Sequence, residues 1–140
     1  MAKNFESSYQ TIVNAPVEKV WEALTLASMV KEYFFGTELV TDWKVGHPIY
    51  FRGSWEGQTY EDKGIVQEYI HCEQLTFSYL SSWSGKEDFA ENYLTVSYEV
   101  KPVKDGTQLT ISQSNYDSEK IDHSIENWKM VIEGLKKLVE

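Results

Sequence analysis

Residues 118–140 read SEKIDHSIENWKMVIEGLKKLVE, and their spacing decides the architecture of the chain. Ile121, Ile125, Trp128, Ile132, Leu135 and Val139 recur at alternating steps of four and three, which places them on one face of an α-helix. The opposite face carries Asp122, His123, Glu126, Lys129, Glu133, Lys136 and Lys137. Acid early and lysine late suit the helix dipole. Such a helix is roughly 30 Å long at 1.5 Å per residue, and alone it would be marginal. It needs a broad apolar surface to lie on. Trp128 sits mid-stripe, so its burial is expected, and replacing it by Ala should cost about 3–5 kcal/mol.

Upstream, the pattern supplies that surface. Leu94, Val96, Tyr98 and Val100 alternate, Lys104-Asp105-Gly106 turns, and Leu109 and Ile111 alternate back, giving a hairpin. Leu75, Phe77 and Tyr79 alternate with Thr76 and Ser78, and Gly64 to Ile70 reads as a further strand before the turn His71-Cys72-Glu73. Ile49, Phe51, Gly53 and Trp55 alternate up to a hairpin tip at Glu56-Gly57. Glu38 to Trp43 is one more strand, and residues 81–91 form the longest loop. At the start, Phe5, Tyr9, Thr11 and Val13 make one buried strand face. Asn14-Ala15-Pro16 stops that strand, with a short polar residue available as a cap. Val17, Val20, Trp21 and Leu24 then mark a short helix, and a second one covers Ser28 to Phe34, ending at Gly36. The order is strand, two short helices, about six strands and one long helix. That implies an α+β layer, with a curved antiparallel sheet wrapped around the C-terminal helix.

The 140 residues suit a single domain, 1–140. Thirteen basic against 22 acidic residues leave a net charge of −9, so nucleic acid and anionic membrane surfaces are poor partners. A lone cysteine, Cys72, excludes an internal disulfide and suits a reducing compartment. With no signal-like N-terminus and no membrane-length apolar run, the expectation is a cytoplasmic monomer or weak dimer.

The stretch Asn14-Ala15-Pro16-Val17-Glu18-Lys19-Val20-Trp21-Glu22-Ala23-Leu24 resembles the opening signature of the START-like, or SRPBCC, superfamily. Its members share the helix-grip fold of the major birch-pollen allergen. Within it the chain is similar to the branch named after the activator of the heat-shock-protein-90 ATPase. Residues 64–68 with 73–77, 96–100 with 106–111, and 128–140 agree with that branch in order. Two departures stand out. Gly46-His47-Pro48 replaces paired glycines, and Asn127 replaces a glycine before the helix tryptophan. The resemblance implies a chaperone cofactor or stress-response module as one function, and a small cyclase or hydrolase as another. The eukaryotic activator carries a separate N-terminal domain, for which this chain has no room. Little or no stimulation of the chaperone ATPase is therefore expected.

Residue chemistry favours binding over catalysis. His47, His71 and His123 have no metal-ligand spacing, and His71 and Cys72 point to opposite faces if extended. No metal or other cofactor is assigned. Cys72 has no histidine partner, and neither a nucleophile elbow nor a phosphate loop is present. Asp42, Glu56, Glu61, Asp62, Glu87 and Asp88 read as solvated charge near strand ends. An enzyme would need an inward ionisable group with a shifted pKa, and no catalytic residue is assigned.

Five Trp, nine Tyr and six Phe either fill the core or line a cavity. The cavity reading places Phe51, Trp55, Phe77, Tyr79, Tyr98, Trp128 and Ile132 around an apolar space between sheet and helix. Continuing the last strand by twos brings Gln113 and Asn115 inward, either as polar anchors or where the strand leaves the core. The loop bearing Trp83 and Phe89 would lie near the mouth. No charge faces inward in this register unless Arg52 does, which argues against a strongly ionic ligand. The expected partner is a small apolar or amphipathic molecule, such as a lipid or a flavonoid-like or polyketide-like compound. A chaperone or other protein is the second candidate.

Overall fold

The structure is a computed structural model and describes residues 5–34, 36–82 and 85–140, the side chain of Trp55 excepted. Chain order is β1 (Phe5–Val13), α1 (Val17–Thr25), α2 (Ala27–Tyr33), β2 (Glu38–Val40), β3 (Pro48–Trp55), β4 (Gln58–Ile70), β5 (Gln74–Tyr79), β6 (Leu94–Val103), β7 (Gly106–Asn115) and α3 (Glu119–Val139). A 3-10 turn covers Ala90–Asn92. The strands form one antiparallel sheet in the order β1-β7-β6-β5-β4-β3-β2. The chain returns β7 beside β1, so the first strand closes one edge. Among the described residues, no helix is long and apolar enough to cross a membrane.

This is the α+β helix-grip arrangement expected from the sequence. Helix α3 packs on β1, β7, α1 and α2. Its acidic first turn and its lysines at the other end complement the dipole. The buried stripe differs from the expected one in its first half. Ile121 and Ile125 are only half-buried, while Ser124 and Val131 face inward with Trp128, Ile132, Leu135 and Val139. Ser124 takes the sheet-facing position because its hydroxyl meets that of Ser7 on β1, at 2.9 Å. Side chains at the α2–α3 crossing leave room for nothing larger than glycine without adjustment: a Cβ on Gly134 would lie 3.1 Å from that of Tyr33.

Four further expectations need correction. Phe5 is exposed, and the inward residue near it is Ser7. Among the described residues no side chain caps α1; the Pro16 carbonyl accepts from the N–H groups of Lys19 and Val20 instead. Strand β2 stops at Val40, because Trp43 adopts a φ of 60° that an extended ladder cannot hold. There the Trp43 ring stacks on Tyr69, and its indole N–H donates to the Thr25 carbonyl at 3.0 Å. Strand β4 begins six residues before the expected Gly64 and runs for 13 residues. A bulge between Val66 and Glu68 shifts its register against β5 and helps bend the sheet.

Candidate functional site

The concave face of β3 to β7 and the first half of α3 enclose a cavity of about 480 Å3. Its walls follow from the strand alternation. Phe51, Phe77 and Tyr98 stand on neighbouring inward positions of β3, β5 and β6. Their rings lie 5.5 Å (Phe51 to Phe77) and 5.9 Å (Phe77 to Tyr98) apart. Trp128 on α3 meets Tyr98 edge to face at 5.8 Å and Phe34 at 6.1 Å. Phe34 stacks on Phe51 at 6.2 Å and closes the circuit. Five aromatic rings therefore form a closed belt between the α2 end, the sheet and the long helix. Edge-to-face pairs of this kind add a preferred geometry to their area burial.

One end of the cavity is polar. Tyr60, Asp62 and Gly64 are the inward residues of the early part of β4. Asp62 is only 8% exposed, and it lies opposite Phe51 in the β3–β4 register. The Tyr79 hydroxyl donates to Asp62 Oδ2 at 2.6 Å. Asp62 Oδ1 accepts from the Ser82 backbone N–H at 2.8 Å and from the Ser82 hydroxyl at 3.2 Å. Burial first, and then the negative charge of Asp62, hold the Tyr79 phenol well above its ordinary pKa. Beside this pair the Thr37 and Tyr60 hydroxyls share a hydrogen bond of 2.6 Å. Tyr60 can lie there because its sheet partner is Gly53, whose missing Cβ would sit 2.6 Å from the phenol oxygen.

At the helix side, Gln113 Oε1 accepts the Trp128 indole N–H at 2.7 Å. Asn127 and Met130 of α3 stand exposed at the rim. Asn127 is the residue that replaces the expected glycine, so this departure falls on the cavity's border.

Of the residues proposed from sequence, Phe51, Phe77, Tyr79, Tyr98, Gln113 and Trp128 come together in the lining. Ile132 and Asn115 do not reach it. Ile132 is fully packed in the core. Asn115 is buried at the sheet edge, where its amide donates to the Phe5 carbonyl at 2.9 Å and so ties β7 to β1. Trp83 and the side chain of Trp55 lie outside the described residues. Phe89 is exposed. Arg52 points outward, bonded to Glu61 at 2.6 Å.

Among the carboxylates expected to be solvated, Asp62 is the exception: it is buried on the cavity wall. It is the inward-facing charge that the sequence register lacked. The other five carboxylates of that group, Asp42, Glu56, Glu61, Glu87 and Asp88, are exposed. The signal was present in the two-residue turn Glu56-Gly57: counting outward from it pairs Trp55 with Gln58, Gly53 with Tyr60 and Phe51 with Asp62. No group of three or more metal-ligating side chains is assembled among the described residues.

The sequence profile described as Activator of Hsp90 ATPase homolog 1-like protein matches residues 14–140. A protein from Cytophaga hutchinsonii, solved in solution, is 40% identical; the likeness covers 99% of this chain and 95% of that one, with a TM-score of 0.85. A crystal structure of a Mesorhizobium loti protein is similar at 19% identity, covering 95% of each chain, with a TM-score of 0.76. CalU16 from Micromonospora echinospora is 19% identical over 96% of this chain and 76% of its own, with a TM-score of 0.77. The latter two likenesses bear on the fold alone. Among curated proteins nothing matches the chain. From the profile match and the Cytophaga relative, the chain belongs to the family of Activator of Hsp90 ATPase homolog 1-like proteins, on the START-like helix-grip fold.

Proposed function

We propose that this protein binds a small amphipathic molecule in the cavity between its sheet and α3. The observation that carries this reading is the aromatic belt of Phe34, Phe51, Phe77, Tyr98 and Trp128 around about 480 Å3 of space. That volume falls within the usual range of small-molecule sites, and so does a mostly apolar wall with a few polar groups. The same aromatics would have filled a solid core had the helix closed on the sheet. On the α1 side of the belt they do so, around Leu24, Val30 and Leu39. A flat apolar body fits between the rings, and one hydrogen-bonding head reaches the Asp62, Tyr79 and Thr37 end. Native mass spectrometry of the freshly purified protein tests this reading, together with a panel of flat hydrophobic compounds read by Trp128 fluorescence. A co-purifying or added ligand of micromolar affinity, about 8 kcal/mol, is the expected result. No binder in either experiment would overturn it.

A second reading rests on the family membership: action on the chaperone named in the family description. Purified chaperone ATPase, assayed with stoichiometric protein, separates the two. Little or no stimulation is expected, and several-fold acceleration would favour the chaperone reading.

A further inference from the structure

The head group of that ligand can be specified from the polar end of the cavity. We infer that the site takes a hydrophobic amine, with its ammonium group at Asp62. This rests on the ligand-binding reading above and adds the charge of the ligand to it.

Three observations carry the inference. First, Asp62 is a buried carboxylate on the cavity wall, and no lysine, arginine or histidine stands among the described lining residues. The neighbouring cations face away. Lys63 pairs with Asp88, and Arg52 with Glu61, both among exposed groups. Second, the hydrogen-bond inventory leaves room for a donor. A carboxylate offers about four lone-pair directions. Among the described residues, Tyr79 and the two Ser82 groups use three, the Tyr79 hydroxyl at Oδ2 and both Ser82 groups at Oδ1. The Tyr79 phenol directs its proton to Asp62. The Asp62 carboxylate can therefore accept from a ligand, while the Tyr79 proton is already engaged. A carboxylate or phosphate head placed at Asp62 would meet like charge there.

Third, the rest of the site attracts cations. Phe51, opposite Asp62 in the β3–β4 register, puts an aromatic ring at that end of the cavity, and an ammonium is drawn to a ring face. The net charge of −9 adds a long-range field of the same sign. A buried ammonium without a partner would be strongly unfavourable, and Asp62 provides that partner.

The test is a matched set of probes with one body and three heads: naphthylmethylamine, naphthylmethanol and naphthoate. Their affinities for the full chain are measured by calorimetry at neutral pH. The amine is expected to bind about tenfold tighter than the alcohol, with naphthoate weakest, and only the amine should weaken as salt is added. Asp62→Asn keeps the shape and an acceptor for Ser82. It should bring amine and alcohol to within about threefold of each other, mainly through weaker binding of the amine, and should abolish the amine's salt dependence. Should that variant fail to fold, the head-group order and salt dependence of the wild-type protein decide alone. Alcohol or naphthoate binding as tightly as the amine would overturn the inference and leave the ligand-binding reading standing. No binding by any of the three would overturn both.

Discussion

The indole N–H of Trp128 on α3 donates to the side-chain oxygen of Gln113 on β7, at 2.7 Å across the cavity wall. This bond fixes the rotation of the long helix over the sheet at the point where the two surfaces part. Trp128→Phe removes the donor and keeps most of the ring. Gln113→Leu removes the acceptor and leaves the indole N–H without it. In a double-mutant cycle the two should couple by about 1 kcal/mol, as expected for a neutral hydrogen bond. Denaturation midpoints that simply add would show that the bond does not hold the helix.

Gly64 sits on β4 two residues from Asp62. A Cβ there would stand 1.6 Å from the Ser78 carbonyl oxygen of β5. A backbone oxygen in a ladder cannot swing aside, so the strands must part next to the Asp62–Tyr79 bond. Gly64→Ala should lose about 3 kcal/mol, the upper end of ordinary overpacking. At Gly53 the obstructing atoms belong to the Tyr60 ring, which can move. Gly53→Ala should lose about 1 kcal/mol. Chemical denaturation of the two variants checks the order, and equal losses would contradict it.

The contrast between these strands also explains what was legible in the sequence. The rows Leu94 to Val100 and Leu109 to Ile111 of β6 and β7, and the later half of the α3 stripe from Trp128 to Val139, were readable because their inward positions are aliphatic or aromatic, at periods of two and about three and a half. The early half of β4 was not, since its inward residues are Tyr60 and Asp62 among polar neighbours. A strand that faces a cavity can carry polar side chains inward, which removes the alternation by which strands are recognised. Asn115 shows the opposite case. Counting by twos correctly turned it inward, yet β1 covers that end of β7 and engages its amide. Facing inward was therefore not sufficient to reach the cavity, and only the packed partner strand decides that.

Three tyrosines should govern the alkaline limit of stability. Burial pushes the Tyr33, Tyr79 and Tyr98 phenols above their ordinary value, with Asp62 adding to the effect at Tyr79. A folded-state pKa raised above the unfolded one favours the neutral native form. Their contribution is fully present below the unfolded pKa of about 10. It is lost as pH rises through the folded-state values. Stability is therefore expected to stay level with respect to these groups up to about pH 10 and to fall beyond it. Phenolate absorbance should show these three tyrosines titrating late, together with unfolding. Tyr79→Phe should make the fall shallower. Nine tyrosines that titrate freely near the ordinary value, with the protein still folded, would refute this.

Val96 provides the sharpest test of where a ligand sits. It lines the cavity from β6, paired with Phe77 on one side and Gln113 on the other. Its side chain is buried, yet it borders open space. Val96→Phe would place a ring between the belt aromatics and the Asp62 end. Enlarging a residue in a tightly packed core usually costs about 1–3 kcal/mol. Here the added ring enters existing space, so stability should change by less than about 1 kcal/mol. Binding of naphthylmethanol should weaken by more than about tenfold, because ring and ligand compete for the same volume. A folded variant that binds the probe as tightly as the wild-type protein would place the site elsewhere on the molecule. A variant that loses several kcal/mol would mean that the space is too small to admit a ring, and hence too small for a flat ligand of that size.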